Sequence, residues 1–150
     1  MLVKLRRWLK KKNIPVRLVV AVAVGIVLSK ILMFITHTVL HKLDVFPALD
    51  KPMFDNRDLS IALAFHCVYA VIAAYFTAQI AKERARKAVF ILGSKEAIMW
   101  IIGIILLWNH APAWFSLTKA ILGIPLSVFG GWIYRKKRER DELKALKAVG

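Results

Sequence analysis

Hydrophobic residues run along this chain in four long stretches separated by short polar or charged segments. A helix needs about 20 predominantly apolar residues to cross a bilayer, and residues 16–40, 59–81, 88–109 and 116–134 each meet that length. Pro15 suits the entrance to the first stretch, since a proline in the first helical turn removes an amide proton that has no partner there. The pattern predicts an all-α fold with a single membrane domain spanning residues 1–150. Its architecture is an antiparallel transmembrane four-helix bundle, preceded by a basic segment at 1–15 and followed by a charged, helix-prone tail at 135–150.

Small residues mark where these helices approach one another. Ala62, His66, Ala70, Ala74 and Ala78 recur every four residues in the second stretch, and Ala120, Gly123, Ser127 and Gly131 form a similar ladder in the fourth. Such ridges allow close backbone contact in lipid, and Pro125 is expected to kink the fourth helix. Residues 42–57 hold two prolines and three acidic residues and read as a loop outside the hydrocarbon. Residues 109–115 carry Pro112 between Trp108 and Trp114, consistent with an interfacial turn.

Composition fixes the class. With 59% hydrophobic residues, net charge +15 and mean hydropathy +0.56, the chain reads as an integral membrane protein. Six basic residues in 1–15 with Arg17, four in 82–87 and seven in the tail make 18 of the 24 lysines and arginines. All lie on one side if both termini face the cytoplasm, so the positive-inside rule predicts a multi-pass protein of the bacterial inner membrane, N-in and C-in. The apolar stretch after the basic start runs on past Lys30 to about Leu40, which argues against a cleaved signal peptide. Arg6, Arg7, Lys10, Lys11 and Lys12, with Arg135, Lys136, Lys137 and Arg138 at the other end, are expected to meet anionic lipid at the cytoplasmic face and not nucleic acid. The single cysteine, Cys67, has no intrachain partner for a disulfide.

From Tyr75 to Gly131 the chain resembles a group of small bacterial four-span membrane proteins. In that group a span ends in Tyr-x-Thr-Ala-x-Ile-Ala before a basic loop, here Tyr75, Thr77, Ala78, Ile80 and Ala81. The next span begins near Leu-Gly (Leu92, Gly93), a Pro-Ala-Trp turn follows (Pro112, Ala113, Trp114), and the last span holds a proline and a Gly-Gly pair (Pro125, Gly130, Gly131). The resemblance implies topology and no activity. Lys95, Glu96 and the histidines of the first span fall outside its pattern.

Those same residues carry the candidate chemistry. An ionisable group in the hydrocarbon must reach an interface or find a polar partner. Lys95 and Glu96 are adjacent and point about 100° apart on a helix, which disfavours their pairing. The expectation is that Lys30 descends to an intramembrane ion pair with Glu96 while Lys95 snorkels to the headgroups. His37, His41 and His66 are the candidate metal ligands, the first two sharing a helix face at four-residue spacing. The expected arrangement nevertheless has no metal and no cofactor, with His41 and His110 exposed and His66 hydrogen-bonded against the first span. Lys119 is expected to snorkel outward. No nucleophile with a base and no phosphate-binding loop occurs, so the chain reads as a non-enzymatic accessory or scaffold subunit packing against itself or a larger membrane partner. The alternative is a small ion- or proton-linked transport or metal-binding protein using Glu96, Lys30 and the outer histidines.

Overall fold

The computed structural model describes residues 16–46, 54–106 and 112–149, and among these no strand occurs. The helices are α1 (Val16–Lys42), α2 (Asn56–Ala81), α3 (Ala85–Leu106) and α4 (Ala113–Val149), with a single 3-10 turn at Lys82–Arg84 between α2 and α3. Three stretches, Val16–Lys42, Asn56–Leu106 and Ala113–Lys147, are long and apolar enough to cross a membrane. Large apolar side chains such as Phe34, Ile105, Leu106 and Ile121 are exposed, as befits a membrane protein whose outer surface meets lipid. The basic segment 1–15 and residues 107–111, with His110, lie outside the described residues.

Helix ends follow local chemistry. Asp55 caps α2, its carboxylate accepting a 2.7 Å hydrogen bond from the Arg57 amide, and Asp58 sits in the first turn, where negative charge is favoured. At the other end of α2, Arg17 Nε donates to the Ile80 carbonyl at 2.5 Å, satisfying one of the acceptors that a helix leaves open. Lys82 then adopts φ 52° with ψ −109°, a positive-φ conformation costly for a side-chain-bearing residue, and the helix breaks there.

The small-residue ladders hold the core. Ala62, Ala74 and Ala78 of α2 and Ala120, Gly123, Ser127 and Gly131 of α4 are all buried. α4 packs most extensively on α3 and next on α2, while α1 rests mainly on α2. The adjacent glycines Gly130 and Gly131 let α4 lie against both neighbours. A Cβ on Gly130 would meet the Val71 carbonyl oxygen at 2.5 Å, and one on Gly131 would meet Val89 at 3.0 Å. Higher on the same interface, a Cβ on Gly93 would stand 2.8 Å from the Gly123 carbonyl. α4 continues through Pro125 and on through the charged tail. At about 1.5 Å per residue, its 37 residues extend roughly 55 Å, well beyond the hydrocarbon thickness.

That extension is tied back to the short turn. Arg138 bonds Glu142 at 2.7 Å and Glu83 at 3.0 Å, and these bonds hold the guanidinium pKa above its ordinary value, the Glu142 bond contributing most. Both partners are exposed, so the tether is screened by salt. Arg138→Ala is expected to lower the detergent melting temperature slightly at low ionic strength and not at all in molar salt. Thermal scans at two salt concentrations check this.

Candidate functional site

Four helices bring ionisable groups toward the middle of the bundle. A cavity with about 20 Å³ of room for the centre of a water-sized sphere is lined by Ser29, Lys30 and Met33 of α1, His66, Tyr69, Ala70 and Ala73 of α2, Leu92 and Glu96 of α3, and Ser127 of α4. That is room for about one water, although the walls it would meet are mostly apolar. The helices meet here because their small residues permit it: Ala73 and Ser127 are almost fully buried, and nearby Gly25 has no room for a side chain against Thr77 and Leu92. α1 is held to α2 on this side by the Thr36–Tyr69 hydroxyl hydrogen bond.

Glu96 is buried, and its carboxylate accepts a 2.7 Å bond from Lys95 Nζ. This differs from the expectation: among the described residues Lys30 makes no salt bridge, and Glu96 is paired with its own neighbour. Adjacent positions diverge on a helix, but four methylenes allow the lysine to curl back over its backbone, a reach that the spacing rule ignores. Lys30 and Glu96 nevertheless line the same cavity.

Lys119 is not at the outer surface. It is the largest fully buried side chain among the described residues, 1% exposed, and its ammonium stands 3.8 Å from the Phe115 ring centroid and 4.1 Å from that of Trp100. Two ring faces replace part of the hydration that a buried ammonium loses, and desolvated cation–π contacts are worth about 2 kcal/mol or more. The Phe115–Lys119 spacing of four residues was the available sequence signal for one wall of this site. The second wall, Trp100, comes from another helix.

Trp100 also joins Lys119 to the histidine of the cavity. The His66 ring stands edge-on to Trp100, 5.7 Å between centroids. His66 Nε2 and Trp100 Nε1 are buried without hydrogen-bond partners, so the partner expected for His66 is not formed. Near the far end of α1, the His37 and His41 ring centroids are 6.2 Å apart and both rings pack on Phe46, which is 3% exposed and clusters with Leu59, Ala62 and Phe115. His41 is only partly exposed, and its Nδ1 is buried without a partner. Among the described residues no group of three or more His, Cys, Asp or Glu side chains is gathered to hold a metal.

The assembled site is therefore a water-sized cavity bordered by Lys30, His66 and Glu96, the last paired with Lys95, with Lys119 beyond Trp100. Such groups can hold and exchange protons; none is a nucleophile activated by a base. Comparison with known protein families, curated proteins and solved structures finds no match to this chain.

Proposed function

We propose that the chain is a non-enzymatic inner-membrane protein with four antiparallel spans and both termini cytoplasmic, and that its interior exchanges protons as part of ion-linked transport. Four crossings are supported by the break at Lys82 in a 51-residue apolar stretch, more than twice the length one crossing needs. Alternating direction is supported by contacts across that break: His66 with Trp100, and Gly25 with both Thr77 and Leu92. Along α3 and α4 the contacts run in opposite order, Val89 with Gly131 and Gly93 with Gly123. The orientation rests on the one-sided distribution of basic residues.

The observation that carries the functional reading is His66: its Nε2 is buried without a partner, and the residue lines a cavity shared with Lys30 and Glu96. One water there would give the imidazole a partner and connect it to the other groups. The scaffold reading relied on ridges of small residues for a partner, and most of those ridges are buried within the chain itself.

In liposomes with a trapped pH dye, the protein is expected to collapse an imposed pH gradient faster than protein-free vesicles do. Glu96→Gln and His66→Ala should each return the rate to background while retaining a cooperative melt in detergent. A wild-type rate equal to that of empty vesicles would remove this reading.

A further inference from the structure

The cytoplasm-facing half of the α3–α4 interface carries a second feature unrelated to the proton cluster. An open furrow of about 460 Å³ runs between these helices, lined by Val89, Phe90, Ile91, Val128 and Gly131, with Arg86, Lys87 and Arg135 at its head. At its floor Gly131 lies directly against Val89, where an added Cβ would stand 3.0 Å from the valine side chain. Beside it a second, shallow and widely open apolar furrow lies along α4 and includes Ile124, Pro125, Phe129 and Trp132. The two share Val128 and Arg135, so one arginine heads both and one valine divides them.

We propose that this paired furrow binds one anionic phospholipid of the cytoplasmic leaflet, its phosphate on Arg86, Lys87 and Arg135 and one acyl chain on each side of Val128. Charge complementarity supports the occupant. Neither furrow is lined by an acidic residue, and among the described residues none of the three basic side chains makes a salt bridge. Arg138, one turn beyond Arg135, is by contrast engaged by Glu83 and Glu142. Free phosphate would engage the cations and leave both furrows empty, whereas a phospholipid matches cations and apolar walls together. Basic pockets between spans at the cytoplasmic side suit anionic headgroups for this reason. Trp132 stacks on Phe129 and carries Lys136 Nζ 4.4 Å from its ring centroid, the arrangement of an aromatic at the headgroup level.

The inference rests on the orientation proposed above and is independent of proton exchange. Native mass spectrometry of the detergent-purified protein, titrated with phosphatidylglycerol, chain-matched phosphatidylcholine or inorganic phosphate, tests it. One phosphatidylglycerol should bind in preference to phosphatidylcholine, and phosphate should not compete. The triple variant Arg86→Gln/Lys87→Gln/Arg135→Gln should weaken that binding by about 100-fold, given the contribution of each basic residue near an anionic surface. Val128→Trp, which fills the furrows and retains the charges, should also lose the adduct. The control Arg140→Gln/Lys144→Gln/Lys147→Gln, with the same change in charge, should bind like wild type. Equal binding of the two lipids, or unchanged binding by the triple variant, would overturn the site. A C-terminal reporter fusion scores orientation separately, so a wrong topology is distinguished from a missing lipid site.

Discussion

Replacing Gly130 with valine is expected to unseat α4 from α2 and destabilise the bundle by about 3 kcal/mol or more, at or beyond the upper end of the usual range for overpacking. The added Cβ alone would meet the Val71 carbonyl oxygen at 2.5 Å, the Ala74 Cβ at 2.8 Å and the Tyr75 amide nitrogen at 3.1 Å. Two of these are backbone atoms and the third is fixed to the backbone, so no rotamer change relieves the overlap. The helices must separate, and the Tyr75–Tyr134 contact one turn away would open with them. Gly103→Ala is the matched control, because the nearest atom to its Cβ is Trp100 Cε3 at 3.7 Å, an ordinary contact. There the better helix propensity of alanine, about 1 kcal/mol, should leave stability unchanged or raised. Unfolding in mixed detergent micelles measures both, and a Gly130→Val midpoint equal to wild type would refute close packing at this crossing.

Such crossings were legible before any coordinates because periodicity carries them. Small residues recurring every three or four positions share a helix face, and in lipid that face finds another backbone. The start of α1 was legible from Pro15, whereas α2 begins at Asn56, inside residues read as loop, because Asp55 caps it there. The candidate site was only partly legible. Its membership came from counting ionisable residues within apolar stretches, which identified Lys30, His66, Lys95 and Glu96. Its pairing did not, because pairing depends on side-chain reach and on rings from other helices. Lys95 curls back to Glu96 across a spacing that disfavours contact on a rigid helix. Lys119 is enclosed by Phe115, four residues away, and by Trp100, nineteen residues away on another element. Phe46, read as loop, turns back against His37 and His41, a tertiary contact with no periodic signature.

The partner of Glu96 is open to a direct thermodynamic comparison. Glu96→Ala is expected to destabilise the protein by about 3 kcal/mol, the lower end of the range for breaking a buried pair, because the abandoned Lys95 ammonium retains some exposure. Lys95 is 27% exposed and Glu96 10% by side chain, so the lysine can partly escape once its carboxylate is gone, while the carboxylate cannot. Lys95→Met should accordingly cost more than Glu96→Ala, since it leaves the less accessible charge unpaired. The double variant Lys95→Met/Glu96→Leu should cost less than either single change, because apolar side chains of similar volume carry no desolvation penalty. A parallel cycle with Lys30→Met and Glu96→Leu separates the observed pairing from the one expected by depth alone. Its coupling should be the smaller of the two, since Lys30 shares the cavity with Glu96 without a salt bridge. A larger coupling to Lys30 than to Lys95 would mean that in the bilayer Glu96 turns across the cavity to α1, and that the interior charge is organised between helices and not within α3.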